Sequence, residues 1–242
     1  MDEYVKFLQG DKENTEKYYL KSLEKTEQQK ALEMLLAGKG MKGAMQIADI
    51  ACGAGTLTHH LSKQYPEATF SLLDYNSDAL ELARKINPGE RFSFHEGDIY
   101  HLPFPDNSFD VVFCWQTLSW LEHPENAIKE LMRITRPKGS VWMSSLFNLD
   151  HDVDLYTNAI DHTHLSGKQS QTVRYNTYSR TSVAAWLEGQ SCDHQFHRFV
   201  PSIDFKSSGK GLGTYTVSTP DGRIQISGGI LMNWAILEIL KH

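Results

Sequence analysis

Cysteine is scarce in this chain. Cys52, Cys114 and Cys192 are its three, far apart and forming no CxxC pair. That spacing argues against a disulfide framework or a zinc site and suits a reducing compartment. Positive charge is also short: 24 Lys and Arg stand against 30 Asp and Glu, for a formal net charge of -6. A broad basic face for nucleic acid is therefore not expected. Long apolar runs are missing too. The most apolar late stretch, ISGGILMNWAILEIL, is broken by two glycines, Asn233 and Glu238, and is shorter than the roughly 18 residues that suggest a membrane span. The opening MDEYVKFLQGDKENTEKYY is polar and acidic, the opposite of a secretory signal. With 242 residues, 40% of them hydrophobic, the chain is large enough to bury a real core. A soluble, cytoplasmic protein without a membrane segment is expected.

What is present is an alternation. TEKYYLKSLEKTEQQKALEMLL is rich in helix formers and predicts one or two helices ending at the turn GKGMKG. From Gln46 onward, short apolar runs alternate with amphipathic stretches: QIADIA, TLTHHLSKQY, TFSLLD, SDALELARKI, RFSFHEG, FDVVFCW, ENAIKELMRIT and SVWMSSLF. Strands alternating with helices imply βαβ units, a parallel sheet and helices on both faces. Ser77 is the expected cap of SDALELARKI, and Thr181 or Ser182 that of a later helix in SRTSVAAWLEGQ. Beyond Asn148 the alternation fails. The polar, His-rich stretch at about 149–180 reads as an insertion over the carboxyl edge of the sheet, and TYTVSTPDGRIQISGGILMNW as two strands around the turn TPDG. The division expected is a helical cap at 1–45 followed by an α/β domain at 46–242.

The stretch IADIACGAG concentrates the functional signal. Gly53 and Gly55 fall between the first strand and the helix that starts near Thr56, where a glycine lets the backbone turn sharply and approach a ligand. Alone, this is a weak motif. The acids strengthen it. Asp49 lies in the first strand, Asp74 ends the second about 25 residues later, Asp98 follows the third and Asp110 begins the fourth. Four acids at strand boundaries are a poor way to stabilise a core, because burying unpaired charge is costly. Asp74 sits near the offset at which an acid meets ribose hydroxyls in nucleotide-binding βαβ units, and Asp98 is placed to accept from an adenine amino group with Ile99 against the ring. A dinucleotide fingerprint fits less well, since Thr58 stands where its third Gly or Ala belongs; a P-loop would need Gly-Lys-Ser/Thr after the glycines. Asp110 reads as structural, and Cys52 as a small residue fitting a tight loop.

In order and spacing, DIACGAG, LLDYN, EGDIYHLPFPDNSFDVVFCWQTLSWL and LMRITRPKGSVWMS resemble the class I S-adenosylmethionine-dependent methyltransferases, over roughly 46–148. The resemblance implies a Rossmann-like, seven-stranded, mostly parallel sheet with helices on both faces and an antiparallel last strand; the TPDG hairpin is expected to supply the final pair. It implies S-adenosyl-L-methionine as cofactor and S-adenosyl-L-homocysteine as product. The turn Ala51, Gly53 and Gly55 would then support the methionine part, Asp49 would organise that turn and reach toward the cofactor's amino group, and Asp74 would hold the ribose. Asp98 would meet the adenine amino group, Tyr75 and Ile99 would line the ring, and Trp115 and Gln116 would face the methionyl and sulfonium region. The first helix would close over the cofactor, with Tyr19 as its contact.

A hydroxyl acceptor usually needs a general base, whereas an amine need only be neutral. His162 and His164, in the insertion, are the candidate bases, while His123 reads as part of a helix start ahead of Pro124. No Asn-Pro-Pro-Tyr motif follows the fourth strand and no Pro-Cys pair is present, which argues against amino-methylation of DNA or glutamine and against cytosine C5 methylation. Tyr18, Tyr19, Tyr156, Tyr175 and Tyr178 could wall a small, partly apolar or sugar-like acceptor. The tail resembles those of some bacterial small-molecule methyltransferases of surface-polysaccharide biosynthesis. A small-molecule hydroxyl is the expected acceptor, with no nucleic-acid or membrane partner and no metal. A homodimer, an RNA or protein acceptor, and a non-catalytic cofactor-binding protein remain open alternatives.

Overall fold

The computed structural model describes residues 23–149, 151–161, 171–200, 203–204, 214–220, 222–227, 230–232 and 234–242. Strands β1 (Gln46–Ile50), β2 (Thr69–Asp74), β3 (Phe92–Glu96), β4 (Phe109–Trp115) and β5 (Thr135–Asn148) pair in parallel in the order β3-β2-β1-β4-β5. The helices between them are α2 (Thr56–Gln64), α3 (Ser77–Ile86) and α4 (Pro124–Ile134), while α1 (Glu27–Ala37) precedes β1. The sheet continues through β13 (Trp234–Lys241), which runs antiparallel to both β5 and β9 (Cys192–Arg198). The expected seven-stranded, mostly parallel sheet with its antiparallel last strand is therefore present. A short strand, β8 (Tyr178–Ser179), also pairs with the end of β5.

The final pair is not the TPDG hairpin. That hairpin forms, as β10 (Thr214–Thr219) and β11 (Gly222–Ser227), but joins β12 (Ile230–Met232) in a separate antiparallel sheet. The last places in the main sheet go to β9 and β13. In β13, Ala235, Ile236, Leu237 and Ile239 are all buried, and a strand buried on both faces beside β5 hides more apolar surface than the polar hairpin could.

Alternating side chains distribute the core between the two sheet faces. On one, Ile47, Phe113 and Trp142 pack with Leu32 and Leu36 of α1 and Leu57 and Leu61 of α2. On the other, Ala48, Val112 and Met143 pack with Ile128 and Leu131 of α4 and Val183 of α5 (Arg180–Trp186). Helix α1 starts at a capping box between Thr26 and Gln29 and ends at Gly38. Two caps differ from expectation. Asn76, not Ser77, caps α3, its side-chain oxygen accepting from the amides of Asp78 and Ala79; Ser179, not Thr181 or Ser182, caps α5. In each case a residue one to three positions earlier stays extended and turns its oxygen onto the first amides. Asp110 is structural, accepting from the Gln46 amide at 2.7 Å and from Arg136 at 2.8 Å.

Residues 176–179 lie at the carboxyl edge of the sheet. Strands β6 (Ala159–Asp161) and β7 (Gln171–Val173) form an antiparallel pair. Asn176 donates its amide to the Ser119 carbonyl, and the Tyr178 hydroxyl donates to that of Leu118. Among the described residues no helix is long and apolar enough to cross a membrane.

Arg133 of α4 fixes the segment leading into β4. Its guanidinium donates to the carbonyls of Leu102 and Phe104 and to the carboxylates of Asp106 and Glu130. Glu130 in turn accepts from the Leu102 amide. Arg133→Ala is expected to lower stability by about 1–3 kcal/mol, and Arg133→Lys to recover little of it, because one ammonium cannot serve this fork of partners. Urea unfolding checks this, and an unchanged midpoint for Arg133→Ala would rule it out.

Candidate functional site

Strands β1 and β4 are neighbours whose outgoing connections leave in opposite directions, toward β2 and toward β5. Their carboxyl ends therefore flank the topological switch point, where open α/β sheets bind ligands. The chain after β1 makes a tight turn there, with Ala51 (φ 58°), Gly53 (φ 54°) and Gly55 (φ 68°) all left-handed. Ala51 is the costly member, since a Cβ disfavours that region by roughly 1–2 kcal/mol. The turn is held from the next strand: the Cys52 amide donates to the Leu73 carbonyl at 3.0 Å and the Gly53 amide to Asp74 Oδ2 at 2.7 Å. Asp74 Oδ1 accepts from the Asn76 amide at 2.8 Å, so one carboxylate ties the loops after β1 and β2 together. From behind, Asn87 Nδ2 donates to the Gly55 carbonyl at 3.0 Å. A Cβ on Gly55 would lie 2.7 Å from that nitrogen and 2.8 Å from Leu72 Cδ2, so glycine is required by space as well as by φ.

Asp49 is buried, and its Oδ2 accepts from the Thr58 hydroxyl of α2 at 2.6 Å. Its Oδ1 is buried with no partner among the described residues, as is Trp115 Nε1. The two side chains share a sheet face, because Asp49 pairs with Phe113 and Trp115 lies two residues further along β4. An orphan acceptor and an orphan donor thus flank the crevice from adjacent strands. Buried polar groups are normally paired, so this pair marks a place where a ligand would complete the bonding.

Past the end of β4 the backbone again turns left-handed, at Gln116 (φ 57°). The Gln116 amide is fixed to the carbonyl and hydroxyl oxygens of Ser144 at 3.0 and 3.1 Å. Its side-chain Nε2 donates to Gln28 Oε1 of α1 at 3.1 Å. Strand β3 ends two residues before Asp98, which accepts from the Tyr100 amide at 2.9 Å, and the Gly97 amide donates to the Asp74 carbonyl at 3.1 Å. Asp98 therefore follows directly on the Asp74 loop. Tyr75 is half-buried beside it, while Ile99 is buried in the core with Leu73 and Leu102. Asp49, Ala51, Gly53, Gly55, Asp74, Trp115 and Gln116 thus gather at the ends of three adjacent strands, with Tyr75, Asp98 and Ile99 alongside. Tyr19, His162 and His164 lie outside the described residues.

Four residues of this arrangement escape a sequence reading: Thr58, Asn87, Gln28 and Asn76. The last had a signal, an Asn directly before a helical run. The others act through partners 9, 32 and 88 positions away. Further along the edge, Leu146, Tyr175 and Phe199 form a small buried cluster with Ala31, Trp120 and Leu155, the rings of Trp120 and Tyr175 being 4.6 Å apart. Among the described residues no group of three or more His, Cys, Asp or Glu could hold a metal ion.

Residues 48–143 match the family model of a methyltransferase domain. Over that segment the chain is a methyltransferase domain. It is 40% identical over 112 residues to an uncharacterized methyltransferase of Schizosaccharomyces pombe, a match covering 43% of this chain and 40% of that protein. It is 28% identical over 203 residues to the malonyl-[acyl-carrier protein] O-methyltransferase of Hahella chejuensis, covering 79% of this chain and 68% of that one. The first curated relatives are matched over less than half of their own length. Among solved structures, the DhpI–SAH complex shares the fold with a TM-score of 0.64 at 15% identity, over 99% of this chain and 95% of DhpI.

In this methyltransferase domain the acids of the crevice are electrostatically expensive. Burial pushes the Asp49 carboxyl up to about 7 against the lowering effect of its bonds from Thr58, and Asp74 raises it further. Burial also raises Asp74, opposed by the amides of Asn76, Gly53 and Tyr75. Burial raises Cys52 well above the usual thiol range and Cys114 to about 12, so neither is a ready thiolate. For Asp49 the folded-state value exceeds the unfolded one, near 4. Between those values the folded protein holds the proton that the unfolded chain releases, so this contribution to stability falls as pH rises from about 4 to about 7. In ligand-free protein, Asp49→Asn should therefore gain stability over wild type between pH 5.5 and pH 8, by on the order of 2 kcal/mol. Urea unfolding of both at each pH checks this; an equal difference at the two values would contradict it.

Proposed function

We propose that this chain transfers the methyl group of S-adenosyl-L-methionine to a small-molecule acceptor at an oxygen, a sugar or another metabolite hydroxyl. The observation that carries the reading is the pair of carboxylates, Asp49 and Asp74, at the ends of adjacent strands on either side of a turn held in left-handed conformation. A cofactor carrying an ammonium, a sulfonium and two ribose hydroxyls suits such a crevice. When bound it supplies an electrophilic methyl group on sulfur.

The residues divide the work as follows. Asp74 has one amide on each oxygen and lone pairs to spare, so it can accept from ribose hydroxyls while still bracing the turn. Asp49 Oδ1 accepts from the ammonium, and Trp115 Nε1 donates to the same end of the molecule. Ala51, Gly53 and Gly55 bring the backbone close, Asp98 accepts from the adenine amino group, and Tyr75 and Ile99 line the ring. Tyr19 reaches in from the cap at 1–45. The acceptor lies against Trp120 and Tyr175, beneath a lid formed by residues 149–180. His162 and His164, in the insertion, are the bases assigned to take the hydroxyl proton. That the Hahella chejuensis relative is an O-methyltransferase favours oxygen over nitrogen. Catalysis then rests chiefly on alignment, which in favourable cases contributes roughly 7–11 kcal/mol.

Titration calorimetry with S-adenosylhomocysteine should show binding to the wild type and about tenfold or weaker binding to Asp74→Ala. Methyl-labelled S-adenosylmethionine incubated with protein and cell extract should place label in the small-molecule fraction. Label in protein or RNA would overturn the acceptor class, and equal affinity of the two proteins would remove Asp74 from the site.

A further inference from the structure

Among the described residues, helix α1 meets the crevice through a hydrogen bond from Gln116 Nε2 to Gln28 Oε1 at 3.1 Å. Gln28 sits in the first turn of the helix and is only 8% exposed, which is unusual for a glutamine. Gln116 has its backbone fixed by Ser144 in a left-handed conformation, so only its side chain is adjustable. An amide has a donor end and an acceptor end. With the donor end of Gln116 bonded to Gln28, its oxygen is left without a partner among the described residues. The far end of α1 is tethered separately: Lys39, just beyond it, pairs at 2.7 Å with Glu238, a buried residue of β13.

We propose that Gln28 is a positioning residue for the methionyl end of the cofactor, acting through Gln116. Resting on the cofactor reading above, this assigns to α1 a specific electrostatic task in addition to covering the sheet. By accepting from Nε2, Gln28 holds the Gln116 side chain against α1 and leaves its oxygen for the donors of the aminocarboxypropyl chain. Without Gln28 the Gln116 amide is free to rotate or flip, and either movement withdraws that oxygen. The adenosine half of the cofactor, assigned to Asp74, Tyr75, Asp98 and Ile99, is untouched by this contact.

Two probes separate the halves: S-adenosylhomocysteine, and 5′-methylthioadenosine, which has the same adenosine and thioether but no aminocarboxypropyl chain. In titration calorimetry, Gln28→Leu should weaken S-adenosylhomocysteine about tenfold and leave 5′-methylthioadenosine within twofold. Gln28→Asn, whose amide is one methylene too short, should behave the same way. The double variant Gln28→Leu/Gln116→Leu should lose no more than Gln116→Leu alone, because one residue acts through the other. Lys39→Met, which releases the far end of α1, should leave both affinities near wild type. Equal weakening of both probes, additive losses in the double variant, or a Lys39→Met loss as large as that of Gln28→Leu would each show that helix docking is responsible and overturn the assignment. Unchanged S-adenosylhomocysteine affinity in Gln28→Leu would overturn it too. Failure of the wild type to bind either probe would remove the cofactor reading, and this inference with it.

Discussion

Everything at this site depends on one topological constraint, the divergence of the chain on leaving two neighbouring strands. After β1 it passes to β2 and after β4 to β5, so neither connection crosses the gap between their carboxyl ends. Each strand must then turn away at once, and both do so through a non-glycine residue in the left-handed region, Ala51 and Gln116. Such conformations persist only where surrounding contacts over-determine them. Here those contacts are the Cys52 and Gly53 amides on Leu73 and Asp74 on one side, and Ser144 on the Gln116 amide on the other. The crevice is therefore a rigid feature of the sheet.

The same constraint sets the electrostatics. Asp49 belongs to a strand covered by α1 and α2, so its carboxyl enters the protein interior with Thr58 as its partner among the described residues. An ionised carboxylate is poorly tolerated there. Asp74 is better supported, with an amide on each oxygen. The two acids are thus unequal: one is already satisfied and serves as a brace, the other is left short by one bond. A cationic ligand arriving beside Asp49 would gain from the low local dielectric that makes the empty carboxyl costly.

How much of this was legible in the sequence follows from the range over which each feature is encoded. The five parallel strands and their helices were readable because each buries a local apolar pattern, and the acids because they fall at the ends of those patterns. The last two strands were not. CDHQFHR, which forms β9, is polar at nearly every position and gains its place only by pairing with β13 at the edge of the sheet. In β13, Glu238 interrupts an apolar run and is accommodated by Lys39 and His197, residues 199 and 41 positions away. The TPDG hairpin is the converse case: its local signal was strong and correct, and its destination lay in long-range pairing that turn chemistry does not specify. Gln28 and Asn87 were missed for the same reason, since a glutamine in a helix and an asparagine ahead of Pro88 look ordinary until their partners are known.

The proposed cofactor and acceptor sites differ in how they are built, and this bears on what can vary. The site assigned to the cofactor consists of strand ends and backbone amides, where a change of side chain disturbs the sheet itself. The other brings together Trp120 after β4, Tyr175 from the insertion and Phe199 after β9. The described end of the insertion is bonded to the segment after β4, from Asn176 and Tyr178 to the carbonyls of Ser119 and Leu118. Those bonds satisfy the backbone of the segment following Gln116 without using any residue of the glycine turn. The aromatic wall is consequently free to be remodelled while the turn, Asp74 and the left-handed residues stay fixed.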